Sequence, residues 1–245
     1  MSVIFPPVVI SGFRAKAVTF DGSNDYVSRA GVSGASAGSA ATLSFWVKWA
    51  NDDTFQSILF LAQSGDITFY VRRDEFNYID VYGENSGGTV LIRIRCAADT
   101  SKVSHGWQHV LVSFQLNSDA KIYINDTNAT FLVPVNSSGS VDFSTNEAVV
   151  GASQPASFLN KLNGDLAEVW FNTSYLDLTV AANRRKFIKS NGKPANLGSD
   201  GSLPTGSQPL LYFRGPATSF STNRGTGGAF TLTGALTDAA TSPSD

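Results

Sequence analysis

The chain has 245 residues, 42% of them hydrophobic and 16% charged, with a formal net charge of -2 and a pI near 5.7. A chain of this size buries about 70% of its extended surface on folding, and its one cysteine, Cys96, excludes an intrachain disulfide and a multi-thiolate metal site. The near-neutral balance leaves no basic field of the kind that binds nucleic acid by releasing counterions, and no apolar run is long enough to cross a membrane as a helix.

Residues 1–16, MSVIFPPVVISGFRAK, are apolar without a charged leader and are broken by Pro6 and Pro7. That predicts an extended arm and not a signal peptide. Two roles stay open for the arm: docking on a partner, or serving as the first strand of the domain. Next comes FDGSNDYV (20–27), where Asp21, Asn24 and Asp25 place three oxygen-bearing side chains on one tight turn beside Gly22. Oxygen ligands on an irregular loop suit Ca²⁺; an Asx-type turn that satisfies backbone N–H groups is the other reading.

The run ATLSFWVKW (41–49) alternates with period two. Leu43, Phe45, Val47 and Trp49 share one face, and Thr42, Ser44, Trp46 and Lys48 the other. The same alternation marks ITFYVRR (67–73), TVLIRIR (89–95), WQHVLVSFQL (107–116) and KIYIN (121–125), as half-buried antiparallel strands require. EAVVGA (147–152) and GDLAEVWF (164–171) are more apolar and belong near a sheet centre. Residues 177–191, with Asp177 or Thr179 as N-cap and Gly192 as terminator, predict one short helix. PLLYF (209–213) and AFTLT (229–233) are late strands, and the Gly/Ser/Thr-rich residues 234–245 read as a loosely held tail. The expected organisation is an arm (1–16), one all-β, two-sheet antiparallel sandwich (17–215) and a C-terminal segment (216–245).

Catalytic patterns are weak. Asp165 and Glu168, the nearest approach to an acidic strand, are three apart and on a regular strand point to opposite faces. His105 and His109 lack a nearby cysteine or carboxylate in sequence, and no serine stands in a Gly-x-Ser-x-Gly elbow. A binding protein and not an enzyme is therefore expected. Trp46, Tyr70, Trp107 and Tyr123 are candidate sugar-stacking platforms; inter-sheet core is the alternative for large aromatics at alternating positions.

AVTFDGSNDYV, TLSFWVKW, WQHVLVSF followed by KIYIND, and LNGDLAEVWFN, in this order over residues 17 to about 190, resemble the laminin-G-like, concanavalin A-type jelly-roll family. The resemblance implies a jelly-roll sandwich. Where calcium is bound in that family, the positions carry over to Asp25 and the Gly22 carbonyl, with Asp165 or Glu168 nearby. Many members have Asp-Glu where this chain has Ala167-Glu168, which removes one possible ligand. The late segment, with its short basic helix and SQPLLYFRG, also resembles structural proteins of tailed bacteriophages. That implies a virion protein made in the host cytoplasm, displayed on a capsid or tail, with other virion proteins and its own copies as partners. A carbohydrate-binding adhesin that recognises a host-surface glycan is the second functional expectation.

Overall fold

The computed structural model describes residues 12–153 and 159–245. The first half of the chain contributes β1 (Val18–Asp21), β2 (Tyr26–Arg29), β3 (Ala40–Trp49), β4 (Gln56–Gln63), β5 (Asp66–Arg73), β6 (Ile79–Glu84), β7 (Val90–Cys96) and β8 (Gln108–Gln115). Then follow β9 (Asp119–Ile124), β10 (Thr127–Asn128), β11 (Thr130–Asn136), β12 (Glu147–Val150) and β13 (Asn163–Asn172). A one-turn helix α1 (Ala181–Arg184), β14 (Leu211–Phe213), a second one-turn helix α2 (Ala217–Phe220), β15 (Thr231–Thr233) and β16 (Thr237–Asp238) complete it.

These strands form two antiparallel sheets. Sheet I runs β10-β9-β8-β3-β13-β1-β16, with β14 also paired to β13, and sheet II runs β11-β7-β6-β5-β4-β12-β2-β15. Period-two patterning decides the faces. In β3, Leu43, Phe45, Val47 and Trp49 enter the core between the sheets, where they meet Phe69 and Val71 of β5, Ile92 and Ile94 of β7, and Val110, Val112 and Phe114 of β8. The rings of Phe69, Phe143 and Phe171 interlock at 5.3–5.8 Å. Tight turns follow their chemistry as well: Asn125 and Asp126 take φ of 49° and 67°, so the β9–β10 hairpin has the two left-handed central residues that its twist needs.

A bulge changes the geometry of β13. Its pairing with β3 slips between Ala167 and Trp170, and Glu168 has φ of 49°. Leu166, Val169 and Phe171 point inward, while Ala167 packs outside with Trp46 and Ile188 and Glu168 meets Tyr212. Asp165 and Glu168 therefore lie on one face and not on opposite faces: the extra residue of the bulge resets the alternation. The bulge also divides one flank of β13, with β1 pairing to Asn163–Leu166 and β14 to Val169–Phe171.

The outer face of sheet I is roofed. Leu178, Phe187, Ala195 and Leu197 cover Leu111, Tyr123, Trp170 and Tyr212. This requirement shortens the helix expected over 177–191 to four residues. Phe187 turns in against Trp170, at 5.2 Å, and Ile188 against Trp46 and Ala167, so the chain leaves the helical path once Arg184 and Arg185 have both clamped Asp126. Gly192 (φ 76°) closes a later turn onto Lys189 instead of capping the helix.

The C-terminal segment is part of the sandwich. β15 adds to β2 and β16 to β1, so each sheet gains an edge strand. Beyond β16, Ala239 N–H donates to Ala17 O (3.0 Å) and Ala15 N–H to Ser244 Oγ (2.9 Å). Residues 234–245 thus differ from the loose tail expected of their composition, because edge pairing uses backbone groups and needs no large apolar side chains. Of the expected arm, residues 1–11 lie outside the described residues.

Candidate ligand-binding face

The outer face of sheet II carries aromatic and charged side chains in two cross-strand rows. Register aligns Ser28, Val149, Phe60, Tyr70, Tyr82 and Arg93 in one row across β2, β12, β4, β5, β6 and β7. The neighbouring row aligns Ser57, Arg72, Asp80 and Arg95. Alternation explains the set: Phe69, Val71, Val81, Ile92 and Ile94 fill the core, so Tyr70, Arg72, Asp80, Tyr82, Arg93 and Arg95 must point away from it.

At one end of this face the β4–β5 and β6–β7 turns flank an open groove of about 1080 Å³. Gln63, Asp66, Glu84 and Asn85 supply polar groups to it, and Ile67 and Tyr82 supply apolar surface. Tyr82 Oη donates to Glu84 Oε2 at 2.6 Å, and partial burial with that carboxylate pushes the phenol up to about 12. Tyr82 stacks on Tyr70 at 5.1 Å with 8° between the rings.

Beyond Tyr70 lies the charged cluster. Asp80, fully buried, accepts from Tyr70 Oη (2.9 Å), Arg93 Nε (3.2 Å) and Nη2 (3.1 Å), Arg95 Nε (3.1 Å) and Arg72 Nη2 (3.4 Å). Burial, then the Asp80 charge, raises the Tyr70 phenol above its ordinary value. Arg72 lies 4.4 Å from the Tyr70 ring centre and 4.7 Å from that of Phe55, and Arg95 lies 5.0 Å from that of Tyr78. Guanidinium groups held over rings keep their orientation.

The sequence-predicted platforms separate. Tyr70 is on this face but only 6% exposed, in contact with Tyr82 and Arg72, so it positions its neighbours and has little open ring. Trp46, Trp107 and Tyr123 belong to the outer face of sheet I. Tyr123 is buried under the roof with Arg184 at 4.7 Å. Trp46 and Trp107 do come together, in a hollow of about 300 Å³ shared with Asn125, Lys193 and the end of the C-terminal segment. Trp46 is 3% exposed, and Trp107 Nε1 donates to Thr241 Oγ1 (3.1 Å).

The four calcium candidates are not brought together. Asp25 is buried, and its Oδ2 accepts Asp21 N–H (3.0 Å) while its Oδ1 accepts Ala235 N–H (2.7 Å), a turn role that ties β1 to the C-terminal segment. Gly22 faces the Asn163 side chain, and Asp165 accepts from Thr19 Oγ1 (2.6 Å). Glu168 sits under the roof of sheet I, where Tyr212 Oη donates to it at 2.5 Å, Arg214 Nε stands 3.7 Å away, and burial raises its carboxyl. Among the described residues no three His, Cys, Asp or Glu side chains cluster to hold a metal ion. The donor set does not fit a shared cation site.

Buried nucleophile-type groups have structural partners. His109 Nε2 lies 2.9 Å from Ser44 Oγ and its ring 4.9 Å from Trp46; burial pulls the imidazole down to about 3. His105 Nδ1 accepts from Lys102 N–H (3.3 Å) on an exposed 3-10 turn. Cys96 is buried against Ile79 N–H, and burial pushes its thiol up to about 11.

Sequence reasoning did not single out Arg72, Asp80, Tyr82, Arg93 and Arg95. The signal was present as the polar half of each alternating strand, but only the strand register brings these residues together.

A family model for the concanavalin A-like lectin/glucanases superfamily, of the laminin G type, matches residues 21–179. No curated protein matches the chain. Among solved structures, a native heptameric SAP-like pentraxin from Limulus polyphemus is similar with a TM-score of 0.57 and 12% identity, over 92% of this chain and 94% of that one. A candidate carbohydrate-binding protein from Bacteroides ovatus ATCC 8483 is similar with a TM-score of 0.57 and 14% identity, over 92% of this chain and 60% of that one. At such identities these likenesses describe the fold. Together with the sandwich topology, the family match establishes that this chain belongs to the concanavalin A-like lectin/glucanase superfamily.

Proposed function

We propose that the chain is a non-catalytic saccharide-binding sandwich whose ligand lies along the outer face of sheet II. The observation that carries this reading is the open groove in which Tyr82 and Ile67 offer apolar surface beside the amides of Gln63 and Asn85 and the carboxylates of Asp66 and Glu84. Sugars need this combination: flat apolar surface for C–H faces and fixed acceptors and donors for hydroxyls. The absence of catalysis is supported by the acids and bases elsewhere. Asp25, Asp165 and Glu168 are held by separate hydrogen bonds, and the Ser44–His109 pair is sealed from solvent. A glycan array followed by calorimetric titration tests the reading. Tyr82→Ala and Gln63→Ala are expected to weaken binding at least ten-fold with the fold unchanged by circular dichroism; Asn85 is left in place because its Oδ1 accepts the Gly87 and Thr89 N–H groups of the β6–β7 turn. Wild-type affinity retained in both variants refutes it.

A second reading places the protein on a phage particle, as a capsid or tail accessory that assembles with virion proteins and its own copies. It is supported by Phe131, Leu132 and Val133, which are 73%, 46% and 39% exposed in a row on β11, the edge strand of sheet II. Consecutive exposed apolar residues are costly in water and suit a protein contact. Pro134 and two register shifts blunt the edge against strand addition, which leaves side-chain packing as the mode. Purified protein added to particles that lack it is expected to bind, and Phe131→Ser with Val133→Ser to reduce incorporation. Equal incorporation of wild type and variant refutes this docking surface.

A further inference from the structure

We propose that Arg72, Arg93 and Arg95 form an oxyanion site that takes the carboxylate or sulfate of an acidic saccharide, with Asp80 as the internal strut that holds them. The inference rests on the saccharide reading of the same face and names the ligand class.

Three guanidinium groups converge on one carboxylate, and Asp80 is the acid that the salt bridges assign to all three. The cluster therefore carries an excess of two positive charges on a chain whose formal net charge is -2. Glu84 and Asp74 stand nearby and keep their negative charges, but among the described residues neither forms an ion pair with the three arginines: Glu84 accepts from Tyr82 Oη (2.6 Å), and Asp74 accepts the N–H groups of Phe76 (2.9 Å) and Tyr78 (3.3 Å).

Hydrogen-bond capacity points the same way. A carboxylate has about four lone-pair sites, and Asp80 already receives contacts from Tyr70, from Arg72, from Arg95 and twice from Arg93. The bonds to Asp80 use Arg72 Nη2, Arg93 Nε and Nη2, and Arg95 Nε, so the other guanidinium nitrogens are not spent on it, and Arg72 Nε is buried without an acceptor among the described residues. The arginine side chains are 22%, 31% and 24% exposed, so these forks reach solvent while their bases are fixed. Planar guanidinium pairs match the two oxygens of a carboxylate or sulfate, and a second anion relieves the mutual repulsion of the three cations.

Placement supplies the saccharide. Tyr82 is the cross-strand partner of both Tyr70 and Arg93, so the groove and the cluster are contiguous. Phe55 flanks Arg72 on one side; Tyr78, stacked with the 58%-exposed Phe76, flanks Arg95 on the other. A glycan lying along the groove would bring a charged ring substituent onto the arginines.

The test titrates the full chain with a galacturonate hexasaccharide, a heparin hexasaccharide and neutral maltohexaose, at low and high salt. Wild type is expected to bind at least one acidic oligosaccharide ten-fold or more tighter than the neutral one, with the advantage shrinking in salt. Arg93→Gln and Arg95→Gln are expected each to cut that advantage about ten-fold, as loss of a charge-assisted hydrogen bond does. Arg93→Lys keeps the charge without the fork and is expected to recover only part of it. Preference for uronate identifies a carboxylate ligand, and preference for heparin a sulfate. Equal affinity for acidic and neutral sugars, with Tyr82→Ala abolishing both, overturns the oxyanion site while the saccharide reading stands. A response to inorganic sulfate with no saccharide bound, or tighter binding of an oligonucleotide than of either acidic sugar, overturns the acidic-saccharide assignment.

Discussion

Lowering the pH should destabilise the fold through His109. Its ring is enclosed on the outer face of sheet I between Trp46 and Ser44, and burial, opposed weakly by Asp126, brings the imidazole from 6.5 to about 3. In the unfolded chain the imidazole binds a proton near pH 6.5, whereas the native chain does not until about pH 3. Between these values the unfolded state holds more protons, so stability rises with pH; the contribution is full above about 6.5 and is lost as pH falls towards 3. The slope for one group is about 1.4 kcal/mol per pH unit, so acidification to pH 4.5 should remove about 2.7 kcal/mol. Urea denaturation at pH 7.5, 6.5, 5.5 and 4.5, for wild type and His109→Gln, isolates the term. The variant keeps a polar partner for Ser44 and has no proton to take up. Carboxylates such as Glu168, whose raised value has the opposite sign near its own titration, contribute equally to both proteins and cancel. If the difference between the two proteins is flat from pH 7.5 to 4.5, the imidazole is not excluded from protonation and the reasoning fails.

Asp80→Asn should cost about 3 kcal/mol, the lower end of the range for stranding buried partners because the arginines keep solvent contact; an unchanged urea midpoint would mean that water already neutralises the cluster. Phe69→Ala removes the ring that touches Phe114, Phe143 and Phe171, with an expected loss of about 3–5 kcal/mol read by chemical denaturation. Gly151→Ala should destabilise by more than about 2 kcal/mol, since φ is 87° and a methyl group would stand 2.5 Å from the Phe20 ring. The melting temperature should be the same in millimolar Ca²⁺ and in chelator, and a clear rise with Ca²⁺ would show that Asp25 gives up its backbone partners to a cation.

Local sequence determined which residues point where. The alternation in ATLSFWVKW, ITFYVRR and TVLIRIR assigns inner and outer faces because strand geometry has a period of two, and the core residues Leu43, Phe45, Phe69 and Ile92 follow directly. Four separated motifs carried the resemblance to the jelly-roll family, and the match over residues 21–179 establishes it. Tertiary structure decided the rest. A bulge at Glu168 put two acids on one face, which no spacing rule anticipates. The helix ended after one turn because Phe187 and Ile188 had separate pockets to fill. The Gly/Ser/Thr-rich end became edge strands through backbone bonds that composition does not register. The arginine cluster arose in the same way, since Arg72, Asp80 and Arg95 occupy three strands and only the register between those strands makes them neighbours.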